Sequence, residues 1–258
     1  MPKSDSDVEV IAGSSSSPGS ASERRGSEAT APVSAEEAPK PRVIYEYIVR
    51  CCVRLEALNR TCCAAIRLMH RLYERKIVKY ICNYSLATAC IMVAAKSEED
   101  SGIRIRDVVN VSHRILHPEK PPIEVDDSFW TLRRSLGRLE FVVLRELSFD
   151  TYMTHPHQLL TLYLDLLASW MPEEFEKFDI REQAFAILRD CHIVPEFVLE
   201  HSHESLALVA LSLVLKGHDL YVPNCRDFYT VFSKHMSERK LRHLEEEVLQ
   251  DVYGQRLK

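Results

Sequence analysis

Two stretches of this chain are apolar on every side of a helix. Residues 85–96 read SLATACIMVAAK and residues 205–216 read SLALVALSLVLK. A surface helix shows one apolar stripe, whereas a helix apolar all round is enclosed by other helices. Both stretches fall well short of the roughly 20 residues that cross a bilayer. Each therefore predicts the buried centre of a helical bundle. The two align without a gap at an offset of 120, with Ser-Leu-Ala at the start and Lys at the end of both. A second echo follows, RLEFVVL at 138–144 against HLEEEVL at 243–249. Apolar composition alone explains neither the shared flanks nor the spacing. A duplicated unit does: five helices, the third central and buried, repeated once.

The rest of the body agrees. Residues 42–258 hold only four Gly and seven Pro, and apolar residues recur at spacings of three and four. Leu132, Leu136, Leu139, Val143, Leu144 and Leu147 form one such stripe. Alternating strand patterns are missing, so the fold class is all-α. The spacing predicts helices near 43–58, 61–74, 84–98, 104–115, 128–148, 156–170, 180–193, 202–217, 226–234 and 238–253. Asn59 with Thr61, and Asp127 with Ser128, suit helix starts. Pro156 suits a first turn. Pro118, Pro121 and Pro122 break the chain after the fourth helix, Pro172 closes the sixth, and Gly217 can cap the eighth.

Residues 1–41 are of another kind. Ten are Ser, five Pro and three Gly, with no Leu, Phe, Tyr or Trp. Such a segment buries too little apolar surface to offset its chain entropy and is predicted to be disordered. The expected organisation is a tail over 1–41, a first repeat over 42–151 and a second over 152–258. Ser17–Pro18 in the tail is a minimal proline-directed phosphorylation site.

Composition narrows the function. The formal net charge of -5 argues against a protein that works mainly on nucleic acid, which needs a basic surface to displace counterions. The first residues show no apolar stretch behind basic ones, as a signal peptide would. An intracellular protein, nuclear and/or cytoplasmic, is expected, with its eight cysteines reduced. Four of them form the adjacent pairs Cys51–Cys52 and Cys62–Cys63, which point about 100° apart on a helix and read as small core residues rather than zinc ligands. His155, His157, His201 and His203 read as solvated or capping. No metal and no cofactor is expected. There is no Gly-rich phosphate loop, nucleophile elbow or kinase catalytic loop, so the chain is not expected to be an enzyme.

The duplicated five-helix unit with a buried third helix resembles the tandem cyclin box. AAKSEE at 94–99 resembles the cyclin signature that ends the third helix, and LEFVVLRELSFD at 139–150 resembles the fifth-helix pattern. The resemblance covers about 42–254 and is strongest over 84–163. It implies a regulatory subunit that binds and activates a cyclin-dependent protein kinase as a heterodimer, without membrane or direct nucleic-acid contact. It places Lys96 and Glu140 on the cyclin Lys–Glu pair, with Glu99, Phe141 and Leu144 beside them on the kinase-binding surface. The ammonium supplies only donors and the carboxylate only acceptors, and ionised groups make the stronger hydrogen bonds to a partner's backbone.

Within the family, RIRDVVNVSHR at 104–114, DSFW at 127–130 and HPHQLL at 155–160 resemble the Q branch, which activates the kinase numbered ten in the cyclin-dependent series. The L branch, tied to transcription and splicing kinases, comes second; it carries a long Arg/Ser-rich tail after the second box, whereas this chain stops at Lys258. The first helix, VIYEYIVRCCVRL, lacks the docking patch of cell-cycle cyclins, and the tail holds no destruction box of the R-x-x-L type. Transcription factor IIB also uses two cyclin-like repeats. An adapter of that kind would bring a zinc ribbon and a basic body, whereas residues 42–258 sum to -2, from 29 Lys/Arg against 31 Asp/Glu.

Overall fold

The computed structural model describes residues 39–75, 79–223, 225 and 227–254. The disorder expected of residues 1–38, with Ser17–Pro18, lies outside the described residues. The chain order is α1 (Pro41–Arg54), α2 (Asn59–Tyr73), α3 (Asn83–Ser97), α4 (Ile105–Leu116), α5 (Asp127–Glu146), α6 (His157–Trp170), α7 (Pro172–Lys177), α8 (Ile180–Cys191), α9 (Pro195–Glu200), α10 (His203–Gly217), α11 (Tyr229–Phe232) and α12 (Glu238–Glu247), which runs on into a π-helical turn, Val248–Tyr253. No strand occurs among the described residues. None of these helices is long and apolar enough to cross a membrane.

Both all-round apolar helices are bundle centres. Every residue of α3 from Leu86 to Ala95 is buried, and α1, α2, α4 and α5 pack around it. In α10, Ser205–Ser212, Val214 and Leu215 are buried against α6, α8 and α12. One apolar core gathers α1–α5 and a second gathers α6–α12. The two central helices end in the same turn at the offset of 120. Asp100 N donates to Ala95 O at 2.8 Å, and Leu220 N to Leu215 O at 2.8 Å. The residue before each donor, Glu99 or Asp219, sits at positive φ, 56° and 53°. This left-handed step closes a helix end and is usually given to glycine.

The repeats differ in their fourth helix. α4 has twelve residues, but the matching stretch of the second repeat is helical only over Tyr229–Phe232, shorter than the helix expected at 226–234. Ser233 turns extended, and its hydroxyl donates to Glu204 Oε2 at 2.9 Å, tying the chain back to the start of α10. The short helices α7 and α9 were not foreseen. Each opens with Pro in its first turn, where the missing N–H removes nothing.

Two helix starts also differ from expectation. α5 is capped one residue earlier, by Asp126, whose carboxylate accepts from Phe129 N at 3.0 Å. α2 has no cap from its own side chains. Asp100, beyond the end of α3, accepts from Leu58 N and Thr61 Oγ1, both at 2.9 Å. Asn59 instead reaches the second repeat, donating from Nδ2 to Phe185 O at 2.9 Å.

The two repeats meet along a polar seam. α2 packs on α8, and Ile193 joins the first core. Arg42, in the first turn of α1, donates to the carbonyls of Asp251 and Val252 at 3.0 and 2.7 Å. His157 Nε2–H donates to Asn59 Oδ1 at 2.9 Å, and its ring stacks on Phe185. His155 bonds Glu98 Oε1 at 3.0 Å. Of the four histidines expected to be solvated or capping, His155 and His157 are enclosed in the seam, the side chain of His155 being 9% exposed and His157 as a whole 9%; His201, bonded to Glu247 Oε2 at 3.2 Å, and His203 are half-buried. The four paired cysteines are buried free thiols.

Candidate partner-binding site

Lys96 stands in the last turn of α3, and Glu140 lies beside it on α5. Nζ and Oε2 are 2.6 Å apart. The pair is lopsided: the lysine side chain is 63% exposed, the glutamate 11%. α5 packs directly on α3, which draws the shorter glutamate into the crevice while the lysine reaches over it.

The second repeat holds the same bridge. Lys216 Nζ lies 2.5 Å from Glu245 Oε2, with the glutamate again the buried member. One atom separates the two copies. Glu245 Oε1 accepts from the Ser212 hydroxyl at 2.5 Å, so both its oxygens are satisfied within the repeat. The residue 120 positions before Ser212 is Met92, which has no hydroxyl to give. Glu140 Oε1 is buried with no hydrogen-bond partner. A buried acceptor left unpaired is destabilising unless something outside the chain supplies a donor.

The neighbours expected beside the pair divide. Phe141 is 71% exposed, an aromatic ring on open surface. Leu144 is half-buried and packs on the first core. Glu99 is exposed, held outward by its positive φ. The acids flanking it are spent on structure: Glu98 accepts from Arg60 and His155, and Asp100 caps α2. Two further residues escaped sequence reasoning. Phe149 (65% exposed, φ 58°) and Tyr152 (81% exposed) follow α5, and Ser97 Oγ on α3 donates to Thr151 O at 3.3 Å, which draws this segment to the end of α3. Aromatic residues in a stretch without helical periodicity were the available signal. Among the described residues no three His, Cys, Asp or Glu side chains come together as a metal-ligand set.

Comparison with known proteins interprets this geometry. Residues 30–152 match the family described as Cyclin, N-terminal domain. Relatives extend the match past this domain. Cyclin-L2 of Mus musculus is 29% identical over 164 residues, 62% of this chain and 30% of that protein. Cyclin-L1 of Homo sapiens is 35% identical over 105 residues, 39% of this chain and 20% of that protein. Cyclin-T1 of Mus musculus is 25% identical over 175 residues, 67% and 23%. The matched part is less than a third of the length of these cyclins. A chain in the crystal structure of the yeast RNA Pol II CTD kinase CTDK-1 complex superposes with a TM-score of 0.55 at 17% identity, covering 81% of this chain and 64% of that one. At that identity the likeness shows the fold alone.

Proposed function

We propose that this chain is a regulatory subunit that binds a cyclin-dependent protein kinase through its first box, residues 42–151, and activates it, while residues 152–258 form a second box that supports the first. One observation carries the reading: the acceptor left open on Glu140 and closed on Glu245. Two copies of one bridge differ in the single atom that a partner's backbone N–H would satisfy. Lys96 adds donors at the same place, and Phe141, Leu144 and Glu99, with Phe149 and Tyr152, surround the pair with apolar area and charge. A titration of the purified chain against candidate cyclin-dependent kinases, with Lys96→Ala, Glu140→Ala and Lys216→Ala compared, tests this reading. Equal affinity for all three variants sinks it.

The motifs at 104–114, 127–130 and 155–160 favour a Q-like cyclin, paired with the kinase numbered ten. The Cyclin-L relatives and the likeness to a CTD kinase complex favour a second reading, an L-like cyclin serving a transcription or splicing kinase. Affinity purification with mass spectrometry separates them by which kinase co-purifies in equal amount.

A further inference from the structure

The outer face of α5 carries a second feature that the Lys–Glu bridge does not use. Trp130, Arg134, Arg138, Phe141 and Arg145 follow at spacings of four, four, three and four, which aligns them on one side of the helix. All five are exposed, Trp130 at 45% and Phe141 at 71%. They form a ridge about 22 Å long, from the rise per residue of a helix. Arg133, on the flank, lies over the Trp130 ring at 5.4 Å. Arg134 donates to the Thr131 hydroxyl at 3.4 Å. No carboxylate lies in bridging reach of Arg133, Arg134 or Arg138 among the described residues. The acids of α5 and its cap are placed elsewhere: Asp126 caps the helix, Asp127 is in the first turn, Glu140 holds Lys96, and Glu146 is 3.8 Å from Arg145.

This arrangement is unfavourable for the helix by itself. Arg134 and Arg138 are like charges one turn apart. An anionic partner removes this penalty. Guanidinium groups match carboxylates in a two-bond fork, and exposed Trp, Phe and Arg are the residues that protein interfaces favour.

We propose that this ridge docks an acidic polypeptide segment of a partner protein, one with carboxylates a helical turn apart and apolar side chains toward its ends. A polypeptide suits the ridge better than nucleic acid, because the body has a net charge of -2, from 29 Lys/Arg against 31 Asp/Glu, whereas nucleic acid calls for broad phosphate neutralisation.

The test uses the full chain and three labelled probes: a helical peptide about 15 residues long, the span of the ridge, with Glu at every fourth position and a Leu near each end; the same peptide with Lys for Glu; and a single-stranded RNA of similar length. The Glu peptide is expected to bind, more weakly as salt rises, and to lose about tenfold or more in affinity to R134E/R138E, the scale at which truncated charge contacts act. The Lys peptide is expected not to bind. R134Q/R138Q gives the same reading without added negative charge, and circular dichroism checks the fold of both variants. Equal affinity of wild type and both variants for the Glu peptide overturns the proposal, as does tighter binding of the RNA. Lys96→Ala leaves this peptide titration unchanged, so its outcome is separate from that of the kinase reading.

Discussion

Met92 and Ser212 occupy the same place in the two repeats, and only Ser212 donates to the glutamate below it. That substitution leaves Glu140 with an open oxygen and Glu245 with none. Truncating one partner of a buried, hydrogen-bonded charge contact at an interface costs about 2–5 kcal/mol. Lys96→Ala and Glu140→Ala should therefore weaken kinase binding by about 30-fold to several thousand-fold, at roughly 1.4 kcal/mol per decade. Lys216→Ala should leave it within a few-fold. Isothermal titration measures all three.

Ser212→Ala should act on stability instead. It strands a buried Glu245 oxygen, a loss of about 1–3 kcal/mol, with kinase affinity unchanged. Lys96→Ala should also lower the melting point, since Glu140 is only 8% exposed and would keep no partner on either oxygen. Urea melts of the two variants should both shift downward. An unshifted Ser212→Ala curve would count against the closed bridge in the second repeat.

Acid should weaken the seam. Burial, then the neighbouring His192, His155 and Arg60, pushes His157 down to about 3. Burial also holds His192 down at about 4, aided by Arg67, His155 and His203 and opposed by its bond to Leu188 O. His157 Nδ1 and His192 Nε2 have no acceptor to receive a proton's hydrogen bond. Both rings are neutral when folded and titrate near 6.5 when unfolded, so the unfolded chain takes up more protons across that interval. Their contribution is full above about pH 6.5 and is lost as pH falls toward 3, by at most about 1.4 kcal/mol per pH unit for each ring. Melting points of wild type and of His157→Gln, which keeps a donor for Asn59, should converge between about pH 7 and about pH 5. Parallel curves would place the acid sensitivity outside His157.

Leu86 and Leu206 are fully buried at matching positions of α3 and α10. Leu→Ala at either should cost about 2–5 kcal/mol, transfer and cavity together. Two-step melting of either variant would show that the repeats unfold separately; one transition would show that the seam couples them.

Thiol labelling of the native chain should reach Cys82, which is exposed, and more slowly Cys225, which is half-buried. Burial pushes the Cys51 thiol up to about 12 and raises Cys63, Cys90 and Cys191 as well, and a hydrogen bond with Cys62, then burial, raises Cys52, so these should label only on unfolding.

The helices, their duplication and the buried third member of each bundle are legible in the amino-acid order. A helix without a polar face has one place to go, and shared flanks at a fixed offset reveal a repeat. Lys96 and Glu140 were legible through their motifs, Lys216 through the offset of 120, and Glu245 through the echo of residues 138–144 at 243–249. The short α11 was not, because its end depends on Ser233 reaching Glu204 on another helix. The cap of α2 was not, because Asp100 arrives from beyond α3.

Local sequence thus determined which segments coil and which of them are enclosed, since propensity and apolar periodicity act over neighbouring residues. Tertiary packing alone decided the protonation and pairing of side chains distant in sequence. The depth of Glu140 comes from the approach of α5 to α3, and the neutral His157 and His192 come from the meeting of two repeats. The unpaired Arg133, Arg134 and Arg138 of α5 come from a stretch of its outer face that no carboxylate among the described residues reaches. Charge and hydrogen bonding depend on what stands across a gap of a few ångströms, and that is settled only once the helices have packed.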